Sequence, residues 1–85
     1  MPFLLPQIVT EANALQLEKE GVMNISSLQT IDCSALTDFD STVLTVFLAW
    51  QKKLQADGIK MALERPPEKL KVLASVYGVS ELLGL

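Results

Sequence analysis

Between Gln7 and Lys19, Leu15 and Leu17 alternate with Gln16 and Glu18. Ala12-Asn13 interrupts the run, and Asn tolerates the positive φ of a tight turn, so the pattern predicts a β-hairpin with strands over 7–11 and 14–19. In TIDCSAL, residues 30–36, Ile31, Cys33 and Ala35 alternate with Asp32 and Ser34 and predict a third strand. Thr37-Asp-Phe-Asp follows, a cluster whose side chains can accept from the unpaired N–H groups of a first helical turn. The helix it opens is expected over 41–56, closed by Asp57-Gly58 with Lys52 and Lys53 near its negative end. Residues 59–64 read as a fourth strand. Pro66-Pro67 opens a second helix that runs through Leu70, Leu73, Val76 and Tyr77 to Gly78, and 79–85 form a last apolar turn. Strands alternating with helices predict an α/β fold, a small mixed β-sheet covered by helices. Residues 21–29 fall at or just under the ~10–12 needed for a helical crossover between parallel strands. The first crossover helix is therefore expected to be shortened or absent.

The stretch DFDSTVLTVFLAW, residues 38–50, places two acids and two hydroxyls before a helix that is apolar over most of its circumference. At 100° per residue Leu44, Phe47, Leu48 and Leu54 share one side, and Val43, Val46 and Trp50 an adjoining one, an arc of roughly 200°. Packing on a sheet uses about half of it. The remainder is either covered by other elements of the domain or docks on another protein, with Val43, Val46 and Trp50 as anchors and Lys53 beside them. A homodimer of the isolated domain through the Trp50 face is one form of such docking. Asp38, Asp40 and Ser41 are candidate helix caps, a role expected of at least one of them. A phosphate on Ser41 or Thr42 would sit where the helix dipole favours negative charge, with Asp40 opposing it.

Composition narrows the function. The chain has 85 residues, enough for one domain spanning 1–85. Half of it is apolar and its mean hydropathy is positive, a surplus that points to a partner surface. A formal charge of −3 with scattered Lys and Arg offers no footprint for nucleic acid. The apolar run Val43–Trp50 is far short of the ~20 residues of a membrane span, and MPFLLPQIV lacks the basic start of an export signal. A lone Cys33 fits a reducing, cytoplasmic setting. Without histidine the commonest general base is missing, and Glu18, Glu20, Asp32, Asp38, Asp40 and Glu64 have no spacing that forces two together. The four glycines, at 21, 58, 78 and 84, stand apart as turn or cap residues and build no phosphate loop. A non-enzymatic binding protein without cofactor or metal is expected.

The run IDCSALTDFDSTVLTVFLAWQKKLQADG, residues 31–58, resembles the STAS domain motif. In that motif an Ile-Asp-Leu-Ser strand is followed by Asp-Ser/Thr, a small residue, Gly, Leu and an apolar helix. The segments FDS, LAWQ and LASVYGVSELL are similar to MlaB-type proteins, the STAS subunits of the Mla phospholipid ABC transporter. The likeness covers residues 30–85 strongly and 7–19 weakly. It implies a STAS-like fold and a subunit that binds the transporter's ATPase, and through it the permease, peripheral to the inner membrane. By resemblance Ser41 falls on the hydroxyl after the motif Asp, and Asp40, Ser41, Thr42, Val43, Val46, Trp50 and Lys53 form the partner site. Thr42 falls on the position phosphorylated in anti-sigma factor antagonists, the alternative STAS function. Val43 departs from the Gly usual in both branches.

Overall fold

A computed structural model describes residues 3–24 and 29–85. In chain order it contains β1 (Phe3–Leu4), β2 (Ile8–Val9), α1 (Ala14–Met23), β3 (Thr30–Asp32), β4 (Asp38–Phe39), α2 (Thr42–Ala56), β5 (Ala62–Glu64), α3 (Glu68–Val76) and α4 (Ser80–Leu83). The order β1-β3-β5 forms one sheet, and β2 pairs with β4 in a second; every described pairing is parallel. The two sheets are close to one interrupted layer. β1 and β2 are separated by Leu5–Gln7, β3 and β4 by Cys33–Thr37, and the Gln7 carbonyl accepts from the N–H groups of Thr37 and Asp38, at 2.9 and 3.1 Å.

The hairpin is not formed. Residues 14–23, whose first half reads as its second strand, are the crossover helix α1, ten residues long. Leu15 and Leu17 do alternate with polar neighbours, but over the longer window the buried positions are Ala14, Leu17 and Gly21, spaced three and four apart. Ala-Leu-Gln-Leu-Glu-Lys-Glu also consists of strong helix formers. The crossover helix is thus neither absent nor confined to residues 21–29 and lies mostly before them; of that stretch, residues 25–28 lie outside the described residues. Asn13 ties down the entry to α1: its Oδ1 accepts from the Thr10 N–H at 2.9 Å, and its Nδ2 donates to the Ile8 carbonyl at 2.7 Å.

The expected third and fourth strands are present but short. β3 ends at Asp32 because the Asp32 carboxylate accepts from the Ser34 N–H at 2.9 Å and turns the chain. α2 runs almost as expected. It ends where Gly58, at φ +71°, lets the Ile59 N–H reach the Leu54 carbonyl and the Gly58 N–H reach that of Gln55, at 2.9 and 3.0 Å. The same pair of bonds closes α3 around Gly78.

In register, Phe3, Ile31 and Leu63 share the sheet face turned to the helices, and Leu4, Asp32 and Glu64 share the other. The first set packs with Phe47, Trp50 and Leu54 of α2 and Leu17 of α1 in a common apolar core. Burial of a side chain such as Phe47 or Leu54 contributes roughly 1.5–3 kcal/mol.

This core overturns one expectation. Val43, Val46 and Trp50 are exposed by only 0, 1 and 0 %, so they are not available to a partner and the Trp50 face cannot carry a homodimer. α1 packs against α2 and covers Trp50. The Trp50 indole N–H donates to the Glu18 carbonyl of α1 at 3.0 Å, and the ring sits against Gly21. Gly21 is accordingly a helix-interior residue and not a turn or cap, whereas Gly58, Gly78 and Gly84 all have positive φ.

Candidate functional site

Of the residues expected to meet a partner, Asp40, Ser41 and Thr42 lie together at the N-terminal end of α2. Asp40 is exposed, and Ser41 and Thr42 are half-buried. The position of all three is set by the strand before them: Ile8 pairs with Asp38 and Val9 with Phe39, and the Asp40 N–H donates to the Val9 carbonyl at 3.3 Å. The loops that follow β2 and β4 therefore emerge side by side at the carboxyl ends of parallel strands, the usual place for binding groups in an open α/β sheet.

Asp40 is the effective helix cap. Its Oδ1 accepts from the Thr42 N–H at 2.9 Å and also from the Thr42 hydroxyl. Ser41 already has helical dihedrals, φ −61° and ψ −16°, and its side chain makes no capping bond. Capping falls to Asp40 because a cap residue bonds the N–H two or three positions ahead, and from Asp40 the first of these is Thr42. The Thr42 hydroxyl, then the Thr42 N–H, hold the Asp40 carboxyl below its ordinary range, with a weaker pull from the Glu11 N–H. Asp40 is thus firmly ionised at neutral pH.

The two hydroxyls are consequently unlike. That of Thr42 is engaged by a carboxylate, whereas that of Ser41 is not used in holding the helix. The helix end thus presents one fixed anion and, among the described residues, one hydroxyl that makes no capping bond, over a buried apolar helix face. Among the described residues no three His, Cys, Asp or Glu side chains gather in a way that could hold a metal ion.

Lys53 is exposed but is not part of this group. It lies twelve residues along α2 from Ser41, about 18 Å at 1.5 Å per residue. A neighbour missing from the sequence reading is the loop before α1, which brings the Glu11 N–H toward the Asp40 carboxylate. The signal for it was present in Thr10-Glu-Ala-Asn13, a helix-entry cluster as well as a turn sequence.

Cys33 has no part in the site. It is 1 % exposed, and burial first, with the nearby Asp32 charge second, pushes its thiol up to about 12. No described helix is long and apolar enough to cross a membrane. No curated protein matches the chain. A family model described as "Mlab, STAS domain" matches residues 8–84, which takes in both crossovers, the Asp40–Thr42 helix start and the C-terminal helices. With β2 to β5, the four helices and the Asp-Ser-Thr helix entrance within that match, the chain belongs to the MlaB-type STAS domain family.

Proposed function

We propose that the protein is a non-enzymatic STAS subunit that binds the cytoplasmic ATPase of a phospholipid ABC transporter, supports its assembly or activity, and is held at the inner membrane through that complex. The observation that carries the reading is the Ser41 hydroxyl, left out of helix capping on a helix end that Asp40 and Thr42 make rigid, in a chain of the MlaB-type family. The contact consists of Asp40, Ser41 and Thr42 with the adjoining loop before α1. Val43, Val46 and Trp50 act beneath it as the support that fixes the helix.

The alternative, an anti-sigma factor antagonist switched by phosphate on Thr42 or Ser41, meets an obstacle at Thr42. The Thr42 hydroxyl is held by the Asp40 carboxylate, so a phosphate there would displace the cap bond and face a like charge. Capture of the tagged protein from detergent-solubilised membranes of the source cell, with mass spectrometry of what remains bound, separates the two. An ABC-transporter ATPase with its permease is expected; a soluble ATP-binding protein kinase in their place contradicts the proposal.

A further inference from the structure

The surface of α2 beside α1 carries a feature that the Ser41 contact does not use. Ala49, Lys52, Lys53 and Ala56 of α2 face Glu18 and Val22 of α1 across a groove of about 420 Å³. A second depression, about 340 Å³, continues it over Lys19, Val22 and Met23. The floor is apolar, and Met23 is 84 % exposed, an unusual state for so large an apolar side chain on a helix. Among the described residues no element covers it.

Charge identifies the occupant. The protein has a net charge of −3, yet three of its seven basic residues, Lys19, Lys52 and Lys53, border this groove. Glu18 is the one carboxylate among the residues lining the two depressions. On α2 the small residues Ala49 and Ala56 are seven apart and so lie on one line of the helix, where they allow another backbone to approach closely. The lysine stems can cover apolar surface while their ammonium groups remain in water. A helix with an apolar stripe flanked by carboxylates fits a groove of this shape and charge. An anionic lipid surface fits less well, because recognition of that kind generally uses a cluster of about 4–8 basic residues, and this site is concave.

We infer that the α1–α2 groove is a second docking site that takes an acidic amphipathic helix of a partner protein, about 18 Å along α2 from Ser41 at its Lys53 end. The inference does not depend on which protein binds at Ser41.

The test is titration of the isotope-labelled full chain, followed by backbone amide NMR, with two synthetic 16-residue helical peptides. Both carry leucine at i, i+3, i+4 and i+7; one is flanked by glutamate and the other by lysine. The glutamate peptide is expected to shift Val22, Ala49, Lys52, Lys53 and Ala56 while leaving Ser41 and Thr42 in place, and the lysine peptide to bind at least tenfold more weakly. Lys52→Glu with Lys53→Glu, both at exposed positions, should lower the thermal midpoint by no more than a few degrees, through the lost cations near the negative end of α2, and weaken the glutamate peptide about tenfold. Equal binding of the two peptides, shifts centred elsewhere, or no shift at all overturns the inference. So does an unchanged affinity in the double variant, or a response of the same residues to phosphatidylglycerol vesicles but not to the glutamate peptide.

Discussion

Gly21 and Trp50 interlock: a Cβ added to Gly21 would lie 2.6 Å from Cζ2 of the Trp50 indole and closer still to Cε2 and Nε1. The indole N–H is anchored to α1 three residues earlier, at the Glu18 carbonyl, and its ring meets Phe3 edge-on with centroids 5.3 Å apart. One aromatic side chain of α2 thus joins the crossover helix and the first strand, and its fit depends on a missing methyl group.

Gly21→Ala should therefore destabilise the protein although alanine is the better helix former. Overpacking costs about 1–3 kcal/mol, against a gain of roughly 1 kcal/mol in propensity. The decisive measurement is a double-mutant cycle in urea: the cost of Gly21→Ala should fall sharply in a Trp50→Phe background, where the ring portion it strikes is gone. Equal costs in the two backgrounds would show that the two residues are not coupled.

This pair also explains what could be read in the sequence. α2 was legible because both of its ends carry side-chain signals, Asp40 at the start and Asp57-Gly58 at the finish. α1 was not, because Leu15 and Leu17 imitate a strand over five residues and its core-facing positions include a glycine, which carries no hydrophobic signal. The error about the docking face has the same origin. The α2 sequence shows which angles are apolar but not what covers them, and with α1 taken as strand, Val43, Val46 and Trp50 have no visible cover. β4 was invisible for another reason: two residues cannot display a period. Ser41 and Thr42, by contrast, could be located from the residue types at the helix entrance.

Asp40 should couple stability to pH. Its folded carboxyl titrates below the ordinary value of 3.8, so its stabilising contribution is present above that value and lost as pH falls through the depressed one. Asp40→Ala should lower the thermal midpoint by a few degrees at pH 7, with the gap to wild type narrowing below pH 3.8. A gap that persists undiminished to the acid limit would assign the effect to something other than the ionised cap.

Cys33 should be inert while the protein is folded. The thiolate is the reactive form, and with the thiol pushed up to about 12 and the side chain 1 % exposed, almost none is available at pH 8. A coloured disulfide reagent should label the native protein no faster than it unfolds, and the urea-unfolded chain at once. Rapid labelling of the native state would contradict the burial described for this residue.

The account rests most heavily on Ser41, and its most direct measurement is the affinity of the purified protein for the transporter ATPase, compared between wild type, Ser41→Ala and Ser41→Glu. Placing an unpaired charge in a desolvated contact costs about 2–5 kcal/mol, so Ser41→Glu should weaken binding more than tenfold. Its thermal midpoint should stay near that of wild type, since the Ser41 side chain makes no capping bond, and Ser41→Ala should bind within a few-fold of wild type. If Ser41→Glu binds as tightly as wild type, or if the wild-type protein does not bind the ATPase at all, the proposed contact is wrong.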